Sequence, residues 1–276
     1  MRVQRYFFFC KRPNFFAVFF IMCRKISTFV AVMLTKSKAI VLRNLKYGDQ
    51  KLIVDLYTEA CGRVTSAIKI SATPKGKMKK QLFQPLTVLN IEMDYRQNSQ
   101  MQKLTDVQIA VPWTMLHIDP VKMTVGMFLA EVMCHVTRSE QQDLPLFQFI
   151  TTSLQWLDMA ECGVANFHIA FLVRMTRFLG FMPSGDDYAH GMMFDMRTGE
   201  FVDLAPLHRD FLNAAEASRM HDILRINYQN MHLFRMSRSE RQKCLDVILD
   251  YYRLHAPSFP EIKSLQVMRE IFEFGN

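Results

Sequence analysis

Hydrophobic and polar positions alternate along residues 36–110, and this alternation predicts a small antiparallel β-module. Apolar side chains recur at every second position within residues 52–57 and 63–69, which is the spacing of a half-buried strand. Turn-forming residues separate the runs at Tyr47-Gly48-Asp49 and Ala60-Cys61-Gly62. Strands are expected at residues 36–43, 52–57, 63–69, 86–95 and 102–110. Five short strands of this kind predict a five-stranded OB-fold β-barrel.

After Pro112 the apolar spacing changes to three and four residues, which predicts an all-α helical domain. Asp119-Pro120 provides an N-cap and a first-turn proline, and Ser237 to Glu240 forms a capping box. Gly180 suits the end of a helix. Helices are expected at residues 120–136, from 143 onward, and at residues 164–179, 213–226, 237–255 and 264–274.

A small β-hairpin is expected within the helical part, near residues 183–203, with its turn at Thr198-Gly199. The predicted fold is therefore of the α+β multidomain class. An OB-fold β-barrel at residues 33–111 is followed by a helical domain at residues 112–276 that carries the hairpin as an insertion.

Residues 1–32 differ in composition from the rest of the chain, with dense phenylalanine, six Lys/Arg and no acid. The apolar run from Phe15 to Met22 is too short to span a bilayer. Met33 then opens a sequence that is typical of a protein start. We expect residues 1–32 to be a disordered leader or a mis-assigned start, with Met33 as the initiator.

Charge divides the chain into a basic and an acidic part. Residues 33–111 hold thirteen Lys/Arg against six Asp/Glu, whereas residues 112–276 hold fifteen against twenty. The segment from Lys69 to Lys80 alone carries five lysines and no acid. A basic module joined to an acidic one indicates a polyanionic partner for the first module only.

OB-fold barrels bind single-stranded nucleic acid through a basic groove and exposed stacking groups. We expect the phosphate-binding side chains to lie on one basic face of the barrel, with Tyr47, Tyr57 and Tyr95 as candidate stacking residues. The candidate nucleic-acid-binding residues are Lys36, Lys38, Arg43, Lys46, Lys69, Lys75, Lys77, Lys79, Lys80 and Arg96.

Motifs for covalent catalysis or metal binding are weak in this chain. The six cysteines are scattered and form no CxxC pair, which favours free thiols in a reducing compartment. Asp186, Asp187 and His190 match no strong metal-site spacing. No phosphate-binding glycine loop is present. We therefore expect no enzymatic activity, no catalytic residue, no metal and no cofactor.

Several segments, in order, resemble the RecO family of bacterial recombination-mediator and DNA repair proteins. The resemblance covers residues 33–274 and leaves out residues 1–32. The matching segments are SKAIVL at residues 37–42, YGD at 47–49, LYT at 56–58, RFLGFMP at 177–183, FD at 194–195, TG at 198–199, YYRLH at 251–255 and KSL at 263–265.

This resemblance implies a non-enzymatic mediator that binds single- and double-stranded DNA and anneals complementary strands. It implies RecR as a partner, displacement of single-strand-binding protein so that RecA can load, and a cytoplasmic, nucleoid-associated location. The family docks the acidic, Phe-ended tail of single-strand-binding protein on the helical domain, where Arg174 and Arg177 are candidate contacts. Many members carry a four-cysteine zinc motif after the Gly-aromatic-x-Pro segment. Because residues 183–202 contain no cysteine here, we expect a hairpin without zinc.

Two other functions stay open from the residues alone. A basic OB-type barrel also suits an RNA-binding or translation-associated protein, which competition between single-stranded DNA and RNA would separate from the mediator. A DNA nuclease or other hydrolase is the third alternative, and the lack of a clustered carboxylate site argues against it.

Overall fold

The computed structural model describes residues 33–70, 73, 80–97, 99–137 and 141–274. The prediction for the leader at residues 1–32 lies outside this range. The first module contains five strands, each close to a run of alternating residues. They are β1 (Met33–Tyr47), β2 (Lys51–Thr58), β3 (Gly62–Lys69), β4 (Val88–Tyr95) and β5 (Lys103–Val111).

The five strands form one antiparallel sheet in the order β3-β2-β1-β4-β5. This is the strand order of an OB-fold, and the sheet curls so that its two edge strands approach each other. Among the described residues the edges touch at one isolated parallel bridge between Ser66 and Gln102, where the Gln102 amide donates to the Thr65 carbonyl over 2.7 Å. The predicted OB-fold is confirmed, and the barrel is left open along most of the β3–β5 edge.

The barrel interior is filled by alternate residues of each strand, as the pleat requires. Val41, Val54, Leu56, Leu89 and Ile91 are all buried in one apolar cluster. A β-bulge between Val41 and Arg43 re-aims the second half of β1. Side chains of opposite parity therefore project outward from the sheet.

The rest of the chain is helical, and the capping signals in the sequence are realised. Asp119 accepts a hydrogen bond from the Lys122 amide, Gly180 ends a helix with a φ of 82°, and Ser237 and Glu240 form a capping box. Val164–Asn166, expected as the first turn of a helix, forms a 3₁₀ turn instead. The helices are α1 (Pro120–Val136), α2 (Leu144–Met159), α3 (Phe167–Leu179), α4 (Ala214–Leu224), α5 (Arg238–His255) and α6 (Ser264–Phe274).

The outer side of the barrel packs directly onto these helices. Ile40, Leu42 and Tyr57 share one buried cluster with Phe128 and Phe147 of the helical part. The indole of Trp113 donates to the Leu86 carbonyl over 2.9 Å. The two parts are therefore joined by a common apolar core as well as by the chain.

A buried carboxylate fixes the segment that links the barrel to α1. Asp158, 6% exposed at the end of α2, accepts the amides of Thr114, Met115 and Leu116 at 2.7–3.1 Å. Burial by itself raises the pKa of Asp158, but these hydrogen bonds outweigh it and hold the pKa below its ordinary value.

The expected hairpin lies within a three-stranded sheet. Strands β6 (Met193–Asp195) and β7 (Glu200–Val202) pair as predicted, and β8 (Phe211–Leu212) adds to the free edge of β6. The third strand has only two residues, too few for alternation to show in a sequence.

Within the described part of the chain, no helix is both long and apolar enough to cross a membrane.

Candidate nucleic-acid interface

The outer face of the first three strands is basic, aromatic and partly apolar. Its residues form rows across the three strands, and successive rows follow one another from the tip of the β1–β2 hairpin toward the helices. Tyr47 and Leu45 are 62% and 47% exposed, so this face offers apolar surface to a ligand. The rows consist of Tyr47, Lys51 and Lys69; Leu45, Ile53 and Ala67; and Arg43, Asp55 and Thr65; Arg63 lies beyond them.

Three exposed lysines lie at the hairpin end of the sheet, and we call Lys46, Lys51 and Lys69 the basic tip. Lys51 and Lys69 belong to this face, whereas Lys46, paired with the inward Leu52, lies on the other side of the β1–β2 hairpin. Lys51 lies directly opposite Lys69 across the β2–β3 ladder. Like charges in this arrangement are destabilising. A bound anion removes that repulsion, so the basic tip is suited to phosphate.

A buried aspartate organises the other end of the face. The Arg43 Nε and Nη2 atoms lie 3.0 and 2.7 Å from Asp55 Oδ2, and Arg63 Nη2 lies 3.1 Å from the same oxygen. The hydroxyl of Thr65 donates to Oδ1 over 2.7 Å. Burial raises the pKa of Asp55, but these hydrogen bonds and the two guanidinium charges outweigh it, so the pKa is lowered. Two cations thus share one anion.

A polar pocket of about 380 Å³ opens beside this cluster. Arg43, Arg63 and Thr65 form the wall on the sheet. The β4–β5 loop and the end of α1 form the other walls, contributing Tyr95, Ser99, Gln100, Gln102, Cys134 and His135. In OB-folds this region, the face of strands 2 and 3 with the adjoining loops, binds oligonucleotides.

The structure distributes the candidate basic residues over two faces. Arg43 and Lys69 lie on the β1–β2–β3 face and Lys46 at the tip, while exposed Arg96 begins the β4–β5 loop. Lys36 and Lys38 lie on the β1–β4–β5 face instead. There Lys36 forms a 2.6 Å salt bridge with Glu92, and this hydrogen-bonded partner raises the pKa of the lysine.

Of the lysines in the 69–80 segment, Lys69 and Lys80 are described and exposed. Lys75, Lys77 and Lys79 lie outside the described residues, so their role stays a prediction. Sequence reasoning missed Lys51, which the hairpin register places opposite both Tyr47 and Lys69. The signal that could have found it is its position directly after the Gly48-Asp49 turn.

The three candidate stacking tyrosines have different environments. Tyr47 is exposed, and Tyr95 is half-buried at the pocket. The prediction that Tyr57 stacks on a nucleic-acid base is wrong. Its side chain is only 2% exposed, and its ring packs inside the protein against Phe147 at a centroid distance of 6.3 Å. Tyr57 lies on the part of the outer face that α2 covers.

A second pocket lies on the helical domain, with a volume of about 480 Å³. Arg174 and Arg177, the two candidate partner contacts, line it and are exposed. Its apolar walls come from Phe149, Val173, Phe178, Met182, Leu224 and Ile226. The pocket therefore combines an apolar floor with two cations.

The protein is an OB-fold barrel joined to a helical domain. One face of the barrel carries the cations and the exposed aromatic ring that are typical of nucleic-acid-binding surfaces. Residues 33–113 match the family model "Recombination protein O N terminal", and residues 117–266 match "Recombination protein O C terminal". The chain belongs to the RecO family of DNA recombination and repair proteins.

Curated relatives agree with this family and with the resemblance found in the sequence. A "DNA repair protein RecO" from Phocaeicola vulgatus is 43% identical over 240 residues, covering 87% of this chain and 100% of the relative. The protein of the same name from Bacteroides fragilis is 42% identical over 242 residues, with the same coverage. A third, from Azobacteroides pseudotrichonymphae, is 35% identical over 241 residues, again with 87% and 100% coverage.

The small sheet, where the family resemblance raised the question of zinc, shows apolar packing and a hydrogen-bonded turn. Phe194 and Phe201 pack with Tyr251 in an apolar cluster. The side chain of Asp195 stabilises the hairpin turn by accepting a hydrogen bond from the Arg197 amide over 2.8 Å. Among the described residues there is no group of three or more His, Cys, Asp or Glu side chains placed to hold a metal.

We therefore keep the prediction that this sheet is held by apolar packing instead of zinc. Metal analysis of the purified protein should find no stoichiometric zinc, and a chelator should leave the unfolding temperature unchanged. One zinc per chain, or a chelator-induced loss of stability, would contradict it.

Proposed function

We propose that this protein is a non-enzymatic recombination mediator that binds single- and double-stranded DNA and anneals complementary strands. With RecR it would help RecA replace single-strand-binding protein, in the cytoplasm at the nucleoid. The observation that carries the proposal is the β1–β2–β3 face, where Arg43, Lys51 and Lys69 accompany the exposed Tyr47. The relatives named as DNA repair proteins support it.

Annealing on such a face follows from electrostatics. Two DNA strands repel each other through their phosphates, and cations that neutralise those phosphates release condensed counterions. A strand held on the basic tip presents less negative charge to its complement. Base stacking on an exposed side chain such as Tyr47 adds affinity without reading sequence. This mechanism requires positioning of strands and no covalent step.

The RNA-binding alternative is tested by competition. A labelled single-stranded DNA bound to the protein is displaced by unlabelled DNA or by RNA of the same sequence. The proposal expects DNA to compete at least as well as RNA. Preferential displacement by RNA would move the function to the RNA class. Addition of Mg²⁺ should produce no cleavage of either nucleic acid, and a Mg²⁺-dependent product would support the hydrolase.

The second pocket supports the proposed contact with single-strand-binding protein. Its apolar walls, including Phe149 and Phe178, suit a terminal phenylalanine, and its two arginines suit acidic residues and a terminal carboxylate. Arg174 also lies 5.9 Å from the Tyr228 ring centroid, within the range of a cation–π contact.

Replacing both Arg174 and Arg177 by glutamine should weaken binding of an acidic, Phe-ended tail peptide by at least about tenfold, because charge-assisted hydrogen bonds are lost. The measurement is fluorescence anisotropy of a labelled peptide. The matched control is Arg209→Gln, an exposed arginine away from this pocket. Equal affinities for all three proteins would exclude this pocket as the docking site.

A further inference from the structure

We propose that the 380 Å³ pocket beside Asp55 binds a single nucleotide of the bound strand, with the phosphate on Arg43 and Arg63 and the base against the β4–β5 loop. This rests on the proposed function, since it names a subsite on the face where the strand lies. Nucleotides combine a doubly or singly charged anion with a planar ring that carries donors and acceptors, and the pocket has a wall for each part.

The anion wall is formed by the arginines that share Asp55. Asp55 is 4% exposed and supplies one negative charge to two guanidinium groups, so one positive charge is uncompensated. In the described part of the chain Asp55 accepts from two of the five N–H groups of Arg43. The remaining donors of this half-exposed side chain are free to bind a phosphate.

Arg63 is held in place from both modules of the protein. It donates to the backbone carbonyl of Cys134 at the end of α1 as well as to Asp55. Its side chain is only 18% exposed. A phosphate at this wall therefore meets one preorganised guanidinium and one that can adjust, which lowers the ordering cost of binding.

The opposite wall comes from described residues of the β4–β5 loop, which are held together by hydrogen bonds to Gln102. Gln102 Oε1 accepts the Arg96 amide, and its Nε2 donates to the carbonyls of Arg96 and Ser99. The exposed Gln100 lines the pocket, and its side-chain amide can both donate and accept hydrogen bonds. Such a group suits the edge of any base, and Tyr95 adds an aromatic surface.

Size and position agree with one nucleotide. A volume of about 380 Å³ lies in the range of small-molecule sites. The pocket opens beside Thr65, in the same face as Lys51 and Lys69. A strand whose phosphates lie on the basic tip and which crosses the successive rows of this face toward the helices therefore reaches the pocket at the other end.

The test fills the pocket without removing a charge. Gln100→Trp places a large ring at the pocket wall, and Gln97→Trp adds the same ring to an exposed position of the same loop that does not line the pocket. Circular dichroism first establishes that both variants are folded. Thymidine 5′-monophosphate and thymidine are then titrated by calorimetry, and an oligothymidylate is titrated at several salt concentrations.

The wild-type protein and Gln97→Trp should bind thymidine monophosphate at least about tenfold more tightly than thymidine, because only the former meets the arginines. Gln100→Trp should lose the mononucleotide. It should also bind the oligonucleotide about tenfold more weakly, as for one lost base contact. Its salt slope should fall by about 0.7, the value for one phosphate of a single strand.

The subsite is overturned if thymidine monophosphate fails to bind the wild-type protein and Gln100→Trp binds the oligonucleotide as the wild type does. That result leaves the proposed DNA-binding function standing. Conversely, mononucleotide binding that Gln100→Trp abolishes, in a protein that binds no oligonucleotide, would support the subsite and remove the proposed function.

Discussion

Replacing Lys46, Lys51 and Lys69 of the basic tip by glutamine is expected to weaken single-stranded DNA binding by about 100-fold at 0.1 M salt. Each neutralised phosphate of a single strand contributes about 0.7 to the slope of log affinity against log salt, so three contacts contribute about 2.1. Over the tenfold interval from 1 M to 0.1 M salt this slope corresponds to about two orders of magnitude. The fold should persist, because all three side chains are exposed.

The matched control removes three lysines from the other face of the barrel. Lys36 and Lys103 form salt bridges with Glu92 and Asp94, and Lys38 lies between them and the helices on the same strand face. The triple variant of Lys36, Lys38 and Lys103 to glutamine should change the affinity by much less than the basic-tip variant. The reverse ranking would place DNA on the β1–β4–β5 face and contradict the assignment of the interface.

Asp158→Ala should have the largest effect on stability, with a loss of about 3 kcal/mol in the free energy of unfolding. The substitution leaves the buried amides of Thr114, Met115 and Leu116 without their acceptor, and unpaired buried donors are costly. Because the barrel and α1 meet at this segment, the loss is transmitted to the junction of the two modules. Urea unfolding followed by circular dichroism measures it.

The contribution of Asp158 to the free energy of unfolding should also depend on pH in a defined direction. A carboxylate whose pKa is lowered by folding contributes stability above the unfolded-state pKa, about 3.9 for aspartate, and loses it as the pH falls through the folded-state pKa. The difference between the wild type and Asp158→Ala should be constant near neutral pH and shrink below about pH 4. The control Asp203→Ala removes an exposed aspartate and should show neither effect. A pH-independent difference would show that the lost stability does not come from the ionised carboxylate.

Much of the fold could be predicted because local rules and tertiary structure agree. The period-two runs became strands, and the capping signals at Asp119, Gly180 and Ser237 lie at helix ends. The motifs quoted from the sequence led to the family that the comparisons show. The order of these motifs along the chain carried that information, since each is short.

The set of residues that forms the candidate nucleic-acid interface was harder to predict than the fold. Alternation shows that a strand has two faces, but it does not show which face a second domain covers, and so Tyr57 was assigned to the solvent side. The salt bridge of Lys36 with Glu92 depends on the pairing of β1 with β4, which are far apart in sequence. Asp55 has no sequence neighbour that marks it as special, and only folding brings Arg43 and Arg63 around it.

The central claim is that this protein anneals DNA strands, and one experiment tests it most directly. Two complementary oligonucleotides, one carrying a fluorescent label, are coated with the cognate single-strand-binding protein and mixed with the full chain in the absence of nucleotide. Duplex formation should accelerate, and the acceleration should fall with salt and with the basic-tip substitutions. If duplex forms no faster in the presence of protein that circular dichroism shows to be folded, the annealing function is contradicted.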